Sequence, residues 1–149
     1  MASWLIKSEP SSYSWEMFVA EKRTYWDGVR NYQSRNNLAA MKRGDRCLFY
    51  HSVKEREIVG VARVVRPAYP DPTTDDDRWV VVDLVPVRRL PAPVSLARLK
   101  TDARTRHMAM VRQSRLSVSP VTDDEYAAVL AMAGVRQRSR PSPGRAVRP

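Results

Sequence analysis

The densest chemistry in the chain lies in Tyr25 to Asn37, YWDGVRNYQSRNN. Trp26 and Tyr32 offer flat faces there, Asn31, Gln33, Asn36 and Asn37 offer amides, and Arg30 and Arg35 offer guanidinium groups. Those residue types in so short a span suit the capture of an unpaired nucleobase. An aromatic face stacks a base for about 1–3 kcal/mol. An Asn amide reads a donor–acceptor pair on a base edge, and Arg grips a phosphate with two parallel hydrogen bonds. The plainer reading puts Trp26 in the core, Asn36 and Asn37 at a turn and the arginines in solvent. For Trp26 taken alone, the core is the more frequent place.

Three other clusters carry polar chemistry. Lys7-Ser8-Glu9-Pro10 follows the first strand candidate. A strand end presents such groups into a cavity, and Pro10 holds Glu9 extended; on their own they read as surface charges and a turn. Arg112 and Arg115, with Gln113 and Ser114 between them, lead into a late strand and can serve phosphate or simply line a polar loop. Phe49-Tyr50-His51-Ser52 closes another strand. Histidine is the usual general base near neutral pH, but a lone strand-end histidine is more often structural. Asp75-Asp76-Asp77 lacks the alternate spacing and the glycine of a calcium loop and reads as a solvated turn.

Several functions are excluded or disfavoured. No G-x-x-x-x-G-K, G-x-G-x-x-G or G-x-S-x-G pattern is present, and five glycines are too few for a backbone phosphate cradle. One cysteine, Cys47, cannot form an intramolecular disulfide, and with two histidines it cannot make a zinc finger. No metal and no cofactor is expected. No apolar run reaches the eighteen or so residues of a membrane helix, so no membrane partner is expected. Met1 to Lys7 lacks the pattern of a signal peptide.

Charge points to a polyanion. The 149 residues hold 26 Lys+Arg against 16 Asp+Glu, a net charge of +10. Five of those arginines lie in the acid-free segment 136–149, so the excess divides evenly, +5 in the body and +5 in the tail. Nucleic acid is the simplest partner, though charge alone carries no sequence information.

The elements that must position these residues alternate between short strands and helices. Strands are predicted at Ser3–Lys7, Arg46–Ser52, Ile58–Arg66, Arg78–Arg88 and Leu116–Val118. Gly60 marks a bulge or a close backbone approach. Helices are predicted from the Ser14 cap to about Lys22, at Ser95–Asp102 and Arg106–Val111, and after the capping box Thr122 to Glu125, ending at Gly134. Asn31 to Met41 is helical or irregular, Trp26 to Val29 is a turn, and Tyr69 to Asp77 is a loop. The sum is an α+β domain over residues 1–135, built on a curved sheet or small barrel of five or six strands. Residues 136–149, rich in Pro, Ser and Arg, are predicted to be disordered.

Taken together, the residues resemble the EVE domain family, a branch of the PUA-like superfamily. The likeness rests on Trp4-Leu5-Ile6-Lys7-Ser8-Glu9-Pro10, Tyr13-Ser14, Trp26-Asp27-Gly28-Val29-Arg30-Asn31-Tyr32-Gln33 and Arg35-Asn36-Asn37-Leu38. It continues through Met41-Lys42, Gly44-Asp45, Phe49-Tyr50-His51-Ser52, Ile58-Val59-Gly60, Tyr69-Pro70-Asp71 and Val111 to Val118, so it spans about Ala2 to Met132. Ser34 departs from it, standing where the motif more often has Ala. The resemblance implies a PUA-like α+β fold, a strongly bent mixed sheet or pseudo-barrel with short helices around it. It also implies a non-catalytic module that reads a modified base, notably a modified cytosine in DNA, by flipping it into an aromatic pocket. The base pocket is expected from Lys7, Ser8, Trp26, Asn31, Tyr32, Tyr50 and His51. Phosphate contacts are expected from Arg30, Arg35, Arg112 and Arg115. Two alternatives stand beside this: a PUA-like binder of modified RNA or transfer RNA, and a small nuclease or nucleotide hydrolase using His51 or Asp27. A monomer is expected, in the cytoplasm of a bacterium, with association with the nucleoid left open.

Overall fold

The computed structural model describes residues 1–135; the expected disorder of the tail falls on 136–149, outside the described residues. The first strand, β1 (Ser3–Ser8), alternates its apolar residues between two cores. Trp4 and Ile6 join one with Trp15, Phe18, Trp26 and Phe49; Leu5 joins the other with Leu48, Leu99, Met108 and Val129. Period-two alternation on a strand buried on both faces does this directly. Helix α1 (Trp15–Glu21) follows, capped by the Ser14 hydroxyl, which accepts from Met17 N. After it come a two-residue strand β2 (Thr24–Tyr25), helix α2 (Tyr32–Ala40) and strand β3 (Arg46–His51). Two long strands, β4 (Glu57–Pro70) and β5 (Val80–Ser95), are joined by a loop. Short helices α3 (Leu96–Thr101) and α4 (Ala109–Arg112), strand β6 (Val118–Val121) and helix α5 (Asp123–Met132) complete the chain.

The strands form one open six-stranded sheet in the order β2-β5-β4-β3-β1-β6. The edges β2 and β6 do not meet, so of the two forms the sequence leaves open, the curved sheet is the one adopted rather than the closed barrel. Strands β1 and β3 are parallel, Ser3 opposite Arg46 and Ser8 opposite His51; the other neighbouring pairs are antiparallel. The carboxyl ends of β1, β3 and β5 and the amino ends of β4 and β6 therefore lie along one margin of the sheet.

Bulges bend it. Val59 and Val61 have the same parity yet serve opposite cores, because the pairing slips between Ile58 and Gly60, leaving Val59 as the extra residue. One extra residue flips every later side chain to the other face. Both roles expected of Gly60 are present, since a Cβ there would stand 2.6 Å from ring carbons of Trp15. On β5 the same slip spans Arg89 to Val94 and takes up Pro91 and Pro93, where no ladder N–H is needed, so β5 runs past the Arg88 at which the sequence ends it. Tyr69 and Pro70, expected in the loop, still pair with Val81 and Val80. The late strand lies slightly later than expected, at Val118–Val121, and the edge strand β2 was not anticipated. It is too short to leave a periodic signal.

Two polar devices lock the frame. Asp45 is buried, and its carboxylate accepts from Ala2 N at 3.1 Å, Trp4 Nε1 at 3.0 Å and Lys42 N at 2.9 Å, tying the start of β1 to the turn before β3. Burial opposes its charge, but those hydrogen bonds prevail and hold its pKa below the usual carboxylate range. Ser34 is fully buried, and its hydroxyl accepts from Ser117 N at 3.1 Å and Val118 N at 3.3 Å, docking α2 on β6. The departure from Ala at this position thus adds a tie.

Gly60→Ala is expected to lower stability by about 1–3 kcal/mol through overpacking against Trp15, read as a fall in the denaturation midpoint. Because Asp45 titrates lower when folded, its stabilisation is present above the ordinary carboxylate pKa and lost as pH falls through the folded value. Asp45→Asn should therefore lower the melting temperature at neutral pH and flatten the acid limb of its pH profile; an unchanged acid limb would contradict this.

Candidate nucleic-acid interface

At the shared margin of the sheet, β1 delivers Lys7 and Ser8 into a cleft of about 730 Å³. The backbone then doubles back, with Ser12 N and Tyr13 N both donating to Glu9 O at 2.9 and 2.8 Å, and the Ser8 hydroxyl donating to Tyr13 O. This turn carries Glu9 and Tyr13 to one wall. A second part of the lining starts from β2, whose ladder continues through Trp26 N to Val82 O at 2.8 Å. Gly28, at φ +78°, then turns the chain away, the positive φ for which Asp-Gly was read as a turn.

Trp26 belongs to the core and also reaches the cleft. It is 8% exposed, with its ring edge-on to Phe49 at 5.5 Å and to Tyr13 at 6.0 Å, yet it lines the cleft. Around it stand one cation, Lys7, and three carboxylates, Glu9, Glu21 and Asp27. Tyr13 Oη donates to Glu21 Oε1 at 2.6 Å; burial and then this bond push the phenol well above its ordinary pKa, so it stays a donor. Lys7 is partly buried, which lowers its pKa, and its Nζ donates to Ser114 O at 2.7 Å. A ligand here meets an aromatic floor, one ammonium and several acceptors. That suits a planar base with an exocyclic amine better than a phosphate.

Of the expected base-pocket residues, Lys7, Ser8 and Trp26 come together in this cleft. The other four do not line it. Asn31 caps α2, its Oδ1 accepting from Ser34 N at 2.9 Å. Tyr32, half exposed, lies against Trp79 with ring centroids 5.2 Å apart. Tyr50 is buried in a neighbouring pocket, with Lys7 Nζ 5.9 Å from its ring centre. His51 is buried with both ring nitrogens engaged: Nε2 accepts from Trp15 N at 3.0 Å, and Nδ1 meets Glu55 Oε1 at 2.6 Å. That pattern fixes the Nδ1–H tautomer. His51 completes the cap of α1 and has no lone pair left for general-base work.

The arginines divide likewise. Arg30 is held by Asp71 at 3.1 Å and Arg35 by the carbonyl of Arg78 at 3.0 Å, while Arg112 and Arg115 are exposed. Asp76 is engaged by Arg78, and no cluster of three metal-ligating side chains occurs among the described residues. Eight residues outside the expected pocket also line the cleft, among them Glu9, Tyr13, Glu21, Tyr25 and Asp27. Tyr13 was within reach, since Pro10 so soon after a strand signals a turn that brings Tyr13 back beside it.

A family model described as "EVE domain" matches residues 2–132. Human thymocyte nuclear protein 1 is 37% identical over 163 residues, covering 87% of this chain and 72% of that protein. A crystal structure of a protein from Agrobacterium tumefaciens superposes with a TM-score of 0.88 at 43% identity, covering 95% of this chain and all of the other. A crystal structure of human THYN1 in complex with DNA containing 5-methylcytosine superposes with a TM-score of 0.81 at 35% identity, covering 89% of this chain and 98% of that one. With a cleft built from the strand end and the Trp26 turn, and with this match across nearly the whole described body, the chain belongs to the EVE domain family.

Proposed function

We propose that this protein is a non-catalytic DNA-binding module that reads a modified cytosine extruded from the duplex into the Trp26 cleft. The observation that carries the reading is that Trp26 shares the lining of one cleft with Lys7 and the carboxylates of Glu9, Glu21 and Asp27. The 5-methylcytosine DNA bound by human THYN1 supports the ligand class. Cytosine presents an exocyclic N4 amine, which carboxylates accept, beside ring acceptors that an ammonium satisfies. Glu9, Glu21 or Asp27 takes the first role and Lys7 the second. The cleft volume lies within the range of small-molecule sites.

Extrusion costs a few kcal/mol. Stacking on Trp26 offsets about 1–3 kcal/mol of that, and attraction of the basic body and tail for phosphate supplies the rest. A single methyl group buried against an apolar wall adds about 0.8 kcal/mol, so discrimination between methylated and plain cytosine should be about fourfold.

The test is fluorescence anisotropy across a salt series, with matched DNA and RNA probes bearing cytosine, 5-methylcytosine, 5-hydroxymethylcytosine or N6-methyladenine. A preference for a modified cytosine in DNA that survives high salt is expected. Equal binding of all probes, vanishing with salt, would overturn it, and a strong loss on removing the 2′-OH would make the ligand RNA. Trp26→Ala should abolish the preference and leave weak, salt-sensitive binding; full preference in that variant would remove Trp26 from the pocket.

A further inference from the structure

Beside the base cleft, and sharing Lys7 with it, is a second pocket of about 330 Å³. Its lining holds three cations, Lys7, Arg56 and Lys100, with the hydroxyls of Tyr50 and Ser52, and no carboxylate. Many of the other cations are already neutralised: Arg23, Arg30, Arg78, Arg89 and Arg104 each pair with an acid. Arg56 uses only its Nε, donating to Val53 O at 3.0 Å. Its terminal nitrogens and the Nζ of Lys100 have no protein acceptor among the described residues.

The pocket is also where the backbone is strained. Val53 has φ +73° and Arg56 φ +50°, in the hairpin between β3 and β4. A positive φ on a β-branched residue is a genuine outlier, and such strain collects at binding sites. The hairpin is held in that shape by Leu96 N, which donates to Arg56 O at 2.9 Å and so ties it to the start of α3, the helix carrying Lys100. Three elements, β1, the strained hairpin and α3, thus aim cations at one volume that no acid occupies.

We infer that this pocket is the phosphate site of the protein: it holds a backbone phosphate flanking the base in the Trp26 cleft, with Lys7 contacting both base and phosphate. This rests on the base-reading function proposed above. It moves the phosphate role away from Arg30, which is already paired with Asp71.

The experiment uses the full chain, the Arg56→Gln/Lys100→Gln double variant and Lys100→Glu alone, the last because Lys100 is exposed on α3 and is not needed for the hairpin. Binding to 5-methylcytosine and cytosine duplexes is measured across a salt series. It is then repeated with duplexes carrying one uncharged methylphosphonate at each linkage around the modified base. Each variant should weaken binding to both duplexes alike and lower the salt slope by about 1, leaving the preference ratio unchanged. One methylphosphonate position should weaken the unsubstituted protein and have no effect on the double variant. Unchanged slopes, or equal losses in both proteins at every methylphosphonate position, would overturn the inference. Should the intact protein show no modified-base preference while the slope and methylphosphonate coupling hold, the base reading fails and the phosphate site stands.

Discussion

The parallel pairing of β1 with β3 is the constraint on which the molecule depends. Antiparallel neighbours return the chain to the opposite margin, whereas this pair releases both strands on the same side, Ser8 opposite His51. The first exit becomes the Glu9–Tyr13 turn and the second becomes the strained hairpin at Val53 and Arg56. A parallel pair cannot be closed by a tight turn, so the segment between its strands must be long. That connection is where α1, β2, the Trp26 turn and α2 are found. The part of the cleft that carries Trp26 is therefore made from the crossover that the parallel register requires.

The same geometry explains the division of labour among polar residues. Groups at the strand ends face the margin and remain open to a ligand, as Lys7 does. Groups one step further along are used for closure. Ser8 fixes the turn, His51 caps α1, Asn31 caps α2 and Ser34 anchors α2 to β6. Each satisfies backbone groups that would otherwise be buried without partners, a cost of about 1–3 kcal/mol apiece. A polar side chain in a recognition-rich stretch is thus as readily part of the scaffold as of the site.

Much of the fold was legible because its signals are local. Ser14, Thr122 with Glu125, and the apolar runs at Ser3 and Arg46 each declare an element within a few residues. The bend at Gly60 was legible too, since a lone glycine in a strand has few other meanings. The site was less so. Trp26 and Lys7 could be named, but that they line one cleft depends on a pairing between distant strands that no local pattern encodes. Tyr32 and Asn31 share the motif with Trp26 yet sit on a helix that turns them to another surface. Arg56 and Lys100 have unremarkable neighbours in sequence and are brought together by the pairing of β4 with β5, Glu57 opposite Ser95, which the Leu96–Arg56 hydrogen bond extends.

The sheet order also places the first strand beside the last: β1 pairs with β6, Leu5 opposite Ser119. During synthesis at about 5–20 residues per second, β1 emerges first and waits for on the order of ten seconds before its outer partner exists. For that interval it is a hydrophobic strand with an open edge, and such edges recruit other chains. Pairings so distant in sequence also close slowly. The time between the birth of β1 and the arrival of β6 is thus when a nascent chain is most exposed to misassembly, and a chain stopped before Val118 would keep that edge open permanently.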